Sequence, residues 1–223
     1  MKFLLEVLLI YRERWRFFLE LFVDHIILTG ISVSIIFVLG LSIGIVITRS
    51  KKMAELVMSI NNFLYTIPSI ALFGFLVAVS GIGNKSAIIA LVVYGVLPII
   101  KNTYTGIMEV DEQIIESAVG MGTTKWQLLY RVQLPLAMPI IMTGVRTMVI
   151  MTIALAGIAS FIGAGGLGVA IWRGITTNYP AMTIAGSLLV ALLAISVDLF
   201  LGKIESKLHR KVLGKDDQER SLV

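Results

Sequence analysis

An all-α integral membrane protein with five transmembrane helices is the fold class this sequence predicts, on three observations. The 223 residues are 57% hydrophobic and only 15% charged, with a mean hydropathy of +0.92, outside the balance of a water-soluble domain. Five predominantly apolar runs, none with more than one charged residue, each reach the ~20 residues a helix needs to cross a hydrocarbon core of about 30 Å. Helices are the expected spanning element, because an open sheet would leave its edge N–H and C=O groups unpaired in lipid.

The first run covers residues 26–48, with Asp24 placed to cap its N-terminus, and stops at Arg49-Ser50-Lys51-Lys52. The second covers residues 56–80 and is interrupted by Pro68. A Gly81-Ile82-Gly83-Asn84-Lys85 turn leads to the third, residues 86–106, which carries Pro98 and has Lys101 near its exit. The fourth begins at Pro135 and runs to residue 162, and the fifth covers residues 181–202. With the N-terminus outside, the cytoplasmic side would hold Arg49, Lys51, Lys52, Lys101, Lys125, Arg131, Lys203, Lys207, Arg210, Lys211, Lys215 and Arg220. Those twelve stand against six outside, Lys2, Arg12, Arg14, Arg16, Lys85 and Arg173, so an outer N-terminus and a cytoplasmic C-terminus are expected.

Segment 1–23 is apolar enough to touch lipid, yet Arg12, Glu13, Arg14, Arg16 and Glu20 make it a poor span. It reads as an interfacial amphipathic helix with Trp15, Phe17 and Phe18 toward lipid; a plain anchor has the same pattern. Charged residues stand where a cleavage site would need small ones, so no cleaved targeting peptide is expected. The membrane domain is placed at residues 24–204, and the tail 205–223 is charged and expected to be solvated. The 19 Lys and Arg against 14 Asp and Glu lie in short clusters between apolar runs and form no continuous face for nucleic acid. With no Cys and only His25 and His209, the chain offers no disulfide framework, thiolate metal site or compact catalytic set.

The long polar insertion, residues 109–134, is built to be structured. Asp111 can cap a helix whose first turn holds Glu112, where negative charge suits the helix dipole. Ile114, Ile115, Ala118 and Met121 then make an apolar stripe. Gly120 and Gly122 can end that helix in left-handed geometry, and Thr124 with Gln127 matches the capping box of a second short helix running toward Arg131. Pro135 suits the first turn of the following span. A stripe of this kind either enters a partner's groove or rests on headgroups.

Glu116-Ser117-Ala118, then Gly122, then nine residues to Val132-Gln133-Leu134-Pro135 resembles the E-A-A-x3-G-x9-I-x-L-P loop of ABC importer permeases. Ser117 replaces one Ala and Val132 replaces Ile. The resemblance implies a type I importer permease whose Ile114, Ile115, Glu116, Ser117, Ala118, Met121, Gly122, Leu134 and Pro135 form the coupling element for an ATPase. It further implies a cell-membrane location, two ATP-binding subunits that hold ATP and Mg, a second permease subunit, identical or homologous, and a separate extracellular substrate-binding protein. No cofactor is expected in this chain. Thr66-Ile67-Pro68-Ser69, Gly144-Val145-Arg146-Thr147, the glycine-rich 163–168 and Asp198 to Glu205 are most similar to permeases for glycine betaine, carnitine and choline. A permease for methionine shares the same loop. An ion-gradient-driven carrier would instead predict internal repeats and mid-depth ionisable groups.

Three groups of residues are candidates for the pathway or for helix packing. Gly163, Gly165 and Gly168 satisfy G-x-G-x-x-G, but a membrane span precedes them instead of a strand, so they read, with Gly166, as a close-packed turn at the outer face. Arg146 lies some eleven residues past Pro135, roughly 16 Å into the membrane at 1.5 Å per residue. By depth Asp198 is its candidate partner, which makes the pair structural; the alternative is that Arg146 lines the pathway. Asn61 and Asn62, with Pro68 behind them, could line a cavity or bond a neighbouring helix.

Overall fold

The computed structural model describes residues 2–212, and among them every regular element is helical. The order is α1 Lys2–Glu13, α2 Trp15–Ile47, α3 Lys51–Thr66, α4 Ser69–Ser80, α5 Asn84–Met108, α6 Glu112–Gly120, α7 Lys125–Leu128, α8 Leu134–Ala159, α9 Gly168–Thr176 and α10 Pro180–Val212. A π turn, Leu129–Gln133, and a 3-10 turn, Ser160–Ile162, extend α8 at either end. α2, α5, the run Lys125–Ile162 and α10 are each long and apolar enough to cross a membrane. α3 and α4 qualify only together and are bent by 95°, the geometry of a broken span or of a re-entrant loop. The five expected runs are thus four helices and one broken pair.

Pro68 explains the break. It has no N–H to continue α3, and it drives the residue before it out of helical geometry. It stands at the N-cap of α4 with φ −59° and ψ 134°, and the Ile67 carbonyl freed at the corner accepts the Tyr94 hydroxyl. Pro98 and Pro139, by contrast, sit inside α5 and α8.

The start of the chain differs from the expectation in three ways. Asp24 is no N-cap: α2 begins at Trp15 and carries Asp24 in its interior. α1 and α2 are nearly continuous, since Arg14 N–H bonds Ile10 O and Phe18 N–H bonds Arg14 O. Trp15 is exposed as expected, but Phe18 is buried and Phe17 packs against the same cluster. The apolar face of the N-terminal segment is covered by protein there, because α9 and the start of α10 offer a matching face.

The chain divides into two compact units. The first takes in the residues up to Ile36, then Asn62–Gly95 and Val149–Val197. One of its cores joins Leu28, Leu72, Phe73, Leu91 and Tyr94 with a run of small residues, Ala87, Ala90, Ala156, Ala159 and Ala164. Alanines at these positions let helices approach closely, and close packing holds helices together in lipid, where burying apolar surface gains little. Its second core joins Val7, Ile10, Phe18 and Leu21 to Leu167, Ala170, Ala181, Met182 and Ala185. Tyr11 ties α1 down by donating to Ala185 O at 2.6 Å, and burial pushes its phenol above the usual range, so it stays a donor.

The second unit takes in Phe37–Asn61, Val96–Met148 and the residues from Asp198 onward. Ile47, Ala54 and Ile100 form its core, flanked by Ile43, Val57, Met58, Val96 and Tyr104. α5 and α8 approach so closely that a Cβ on Gly144 would stand 2.6 Å from the Asn102 Cβ. α10 continues through residues expected in the tail, and the part of that tail beyond residue 212 lies outside the described residues.

Candidate functional site

The polar insertion folds as two short capped helices. Asp111 Oδ1 accepts the Gln113 N–H at 2.8 Å and starts α6. Gly122 ends it with φ +84°, a backbone conformation that side chains disfavour, so the chain turns away after one more residue. Thr123 then closes the helix by donating its hydroxyl to Ala118 O at 2.8 Å. Gly120, expected to share the left-handed role, is instead the last helical residue of α6. The capping box on α7 is complete: Thr124 Oγ1 accepts from Gln127 N at 3.3 Å, and Gln127 Oε1 accepts from Thr124 N at 2.8 Å.

A π turn separates this box from α8. Leu134 N–H reaches back five residues to Leu129 O, and Pro135 follows at once. In a tight turn the Pro135 ring would press on the carbonyl four residues earlier; the wider turn relieves that clash. The motif's Leu134-Pro135 therefore sets how α7 feeds into the span.

The stripe on α6 is only partly covered. Ala118 is 3% exposed and Ile115 is half-buried, whereas Ile114 is 43%, Val119 54% and Met121 79% exposed. Ile114, Ser117, Ala118 and Met121 line an open groove of about 400 Å³ with Asp111 and Val132. Glu116 is exposed on the same helix. Val119 was absent from the sequence stripe, although it stands four residues after Ile115, and that i, i+4 spacing was the signal that could have placed it there.

The intramembrane charge is fully engaged. Arg146 on α8 donates from Nε to Asp198 Oδ1 at 2.6 Å and from Nη2 to Asp198 Oδ2 at 2.9 Å, a bidentate grip. Its Nη1 donates to Glu205 Oε2 at 2.8 Å, and Thr143, one turn earlier, donates its hydroxyl to the other Glu205 oxygen. Asp198 and Glu205 are seven residues apart on α10, two turns along one face, so both reach the same guanidinium. Glu205 corrects the sequence reading, which placed it in a solvated tail. That spacing of two carboxylates was the signal that could have found it.

The glycine turn is close-packed, as expected. Gly163 and Gly166 take φ +79° and +92°. Gly83 N–H bonds Ile162 O at 3.0 Å, and Asn84 Oδ1 accepts Gly165 N–H at 3.3 Å, which pins the turn to the start of α5. A Cβ on Gly168 would collide with the Gly157 carbonyl, and one on Gly165 would stand 3.3 Å from Asp24 Oδ2. Beneath Gly166 lies His25, fully buried, with Nε2 at 3.2 Å from Ile153 O. That carbonyl requires a donor, so the proton sits on Nε2, and among the described residues Nδ1 has no hydrogen-bond partner. Sequence reasoning missed His25; an ionisable residue inside an apolar helix was the available flag.

Asn61 is buried and donates to Val57 O of its own helix at 3.0 Å, in place of the expected cavity or interhelical bond. Asn62 is exposed.

Apolar helices long enough to cross a membrane, with a capped helix on the polar loop between two of them, define an integral membrane protein. Residues 25–210 match the family described as binding-protein-dependent transport system inner membrane component, and the chain belongs to that family of ABC importer permeases. It is 41% identical over 190 residues to the glycine betaine/carnitine/choline transport system permease protein OpuCB of Bacillus subtilis (strain 168), covering 85% of this chain and 88% of that one. It is 43% identical over 167 residues to the ergothioneine transport permease/ergothioneine binding protein EgtU of Helicobacter pylori (strain G27), covering 75% of this chain but 30% of that protein. An inward-facing crystal form of the MetNI methionine ABC transporter superposes with a TM-score of 0.76 at 23% identity, over 86% of this chain and 95% of that one, a likeness of fold.

Proposed function

We propose that the chain is the membrane-spanning subunit of an ATP-driven importer for small quaternary-ammonium osmoprotectants such as glycine betaine, carnitine and choline. The observation that carries the coupling role is α6: capped at both ends and offering Ile114, Val119 and Met121 outward beside Glu116. Such a helix suits docking on an ATPase. Two ATPase subunits would bind ATP and Mg, and a second permease would supply the opposite wall of the pathway. An extracellular binding protein would deliver the solute. The N-terminus would lie outside and α6 in the cytoplasm, as the charge count favours.

The substrate class rests on the names of the two relatives. Glycine betaine, carnitine, choline and ergothioneine all carry a trimethylammonium group, which aromatic faces recognise through cation–π attraction. Cells that express the chain with its ATPase and binding protein should accumulate radiolabelled glycine betaine, carnitine or choline above cells lacking the chain. Uptake of methionine with none of the three would overturn the substrate class and leave the importer reading standing.

A further inference from the structure

A cavity of about 520 Å³ opens in the second unit, with no lining residue in common with the α6 groove. Ile45, Thr48 and Arg49 at the end of α2, Ile107 and Met108 at the end of α5, and Lys125, Trp126 and Leu129 at the start of the fourth span contribute to its wall. Three candidate spans therefore end or begin around it, and such ends lie at the level of lipid headgroups. Its charge has one sign. Arg49 and Lys125 line it, and none of its lining residues is acidic.

The aromatic groups point the same way. Trp126 is 57% exposed, and its ring lies stacked on the equally exposed Tyr130, with centroids 5.8 Å apart and planes 10° apart. The Arg49 guanidinium sits over the Trp126 ring, 5.1 Å from its centroid. Exposed Trp and Tyr are the residues that settle where hydrocarbon meets headgroups. Trp126 already carries the Arg49 guanidinium, so a cationic solute would meet two positive charges, Arg49 and Lys125. An anion with an apolar body would meet the two cations together with the apolar side chains of Ile45, Ile107 and Leu129.

We infer that this cavity binds the headgroup of an anionic phospholipid, with Arg49 and Lys125 on the phosphate and the apolar wall against the glycerol and upper acyl chain. Basic pockets between membrane helices suit such headgroups, and the volume falls in the range of small-molecule sites, about 300–1,000 Å³. The inference needs the chain to lie in a bilayer and is independent of its orientation and its substrate.

The test uses Trp126 as its own reporter. The full chain, carrying Trp15→Phe and Trp172→Phe, is reconstituted into phosphatidylcholine vesicles that contain a minor fraction of dibrominated phosphatidylglycerol or the same fraction of dibrominated phosphatidylcholine. Bromine quenches a touching indole. The brominated anionic lipid should quench Trp126 more strongly, and rising salt should erode the difference. Arg49→Gln and Lys125→Gln should each weaken the preference about five-fold, as expected for one basic residue near an anionic surface. Arg49→Lys should keep most of it, which covers the case in which a glutamine variant fails to fold. Equal quenching by the two lipids overturns the inference, as does a preference that survives in the double glutamine variant. Loss of preference on adding soluble glycerol phosphate would assign the pocket to a free anion instead. A double variant that keeps its lipid preference and loses a co-purifying ATPase would make the patch a protein contact, which also overturns it.

Discussion

Gly202 lies directly against the Arg146 guanidinium: a Cβ at position 202 would stand 3.2 Å from its Cζ. The contact leaves Arg146 room to reach Asp198 and Glu205 along one face of α10. Gly202→Ala should be tolerated with a small shift, whereas Gly202→Leu should displace the guanidinium and lower the thermal unfolding temperature in detergent.

Removing the cation alone should be worse than removing the whole cluster. Arg146→Leu leaves Asp198 and Glu205, two turns apart on one face of α10, without their counter-charge. Arg146→Leu combined with Asp198→Leu and Glu205→Gln should unfold at a higher temperature than Arg146→Leu. The reverse order, measured by thermal unfolding in detergent, would make the pairing incidental to the fold.

Position 122 separates the coupling loop from a passive linker. Gly122→Val places a β-branched residue at φ +84°, which costs about 1–3 kcal/mol locally. It should leave membrane insertion near normal while reducing both uptake and ATPase association. Gly120→Ala, where the backbone is helical and nothing lies within 4 Å of the added methyl, should be silent or slightly stabilising. Full uptake and full ATPase binding by correctly inserted Gly122→Val protein would remove α6 from the coupling role.

The caps of this loop have their own cost. Asp111→Ala removes the acceptor for Gln113 N–H and should weaken α6 by about 1 kcal/mol. Faster amide hydrogen exchange confined to residues 112–120 is the expected signature.

Gly166→Ala should be among the most damaging small substitutions. Its methyl would stand 2.8 Å from His25 Nδ1 at a residue with φ +92°. A fall in folded yield should follow, and His25→Ala in the same chain should recover part of it by opening space.

Orientation can be read by labelling, because the chain has no Cys. Ile82→Cys, at a position 78% exposed, and Thr123→Cys should react with an impermeant thiol reagent from opposite sides of the membrane. In intact cells only position 82 should be labelled.

Local chemistry was legible because it depends on neighbours in the chain. Asp111, Gly122 and the Thr124–Gln127 box could be read from the sequence since a cap or a left-handed step is satisfied within a few residues. Hydropathy likewise located the five runs, because the bilayer sets a minimum apolar length for every span. Pro68 was visible as an interruption, but its 95° bend required knowing that Tyr94 waits to take the freed Ile67 carbonyl. Tertiary contact alone decided that Phe18 is covered by α9 and α10, that Glu205 joins Arg146, and that His25 lies under Gly166. In each of these cases the partner is more than a hundred or several tens of residues distant. The pattern around one residue records its need for burial or for a counter-charge, and only the packed chain supplies the group that meets it.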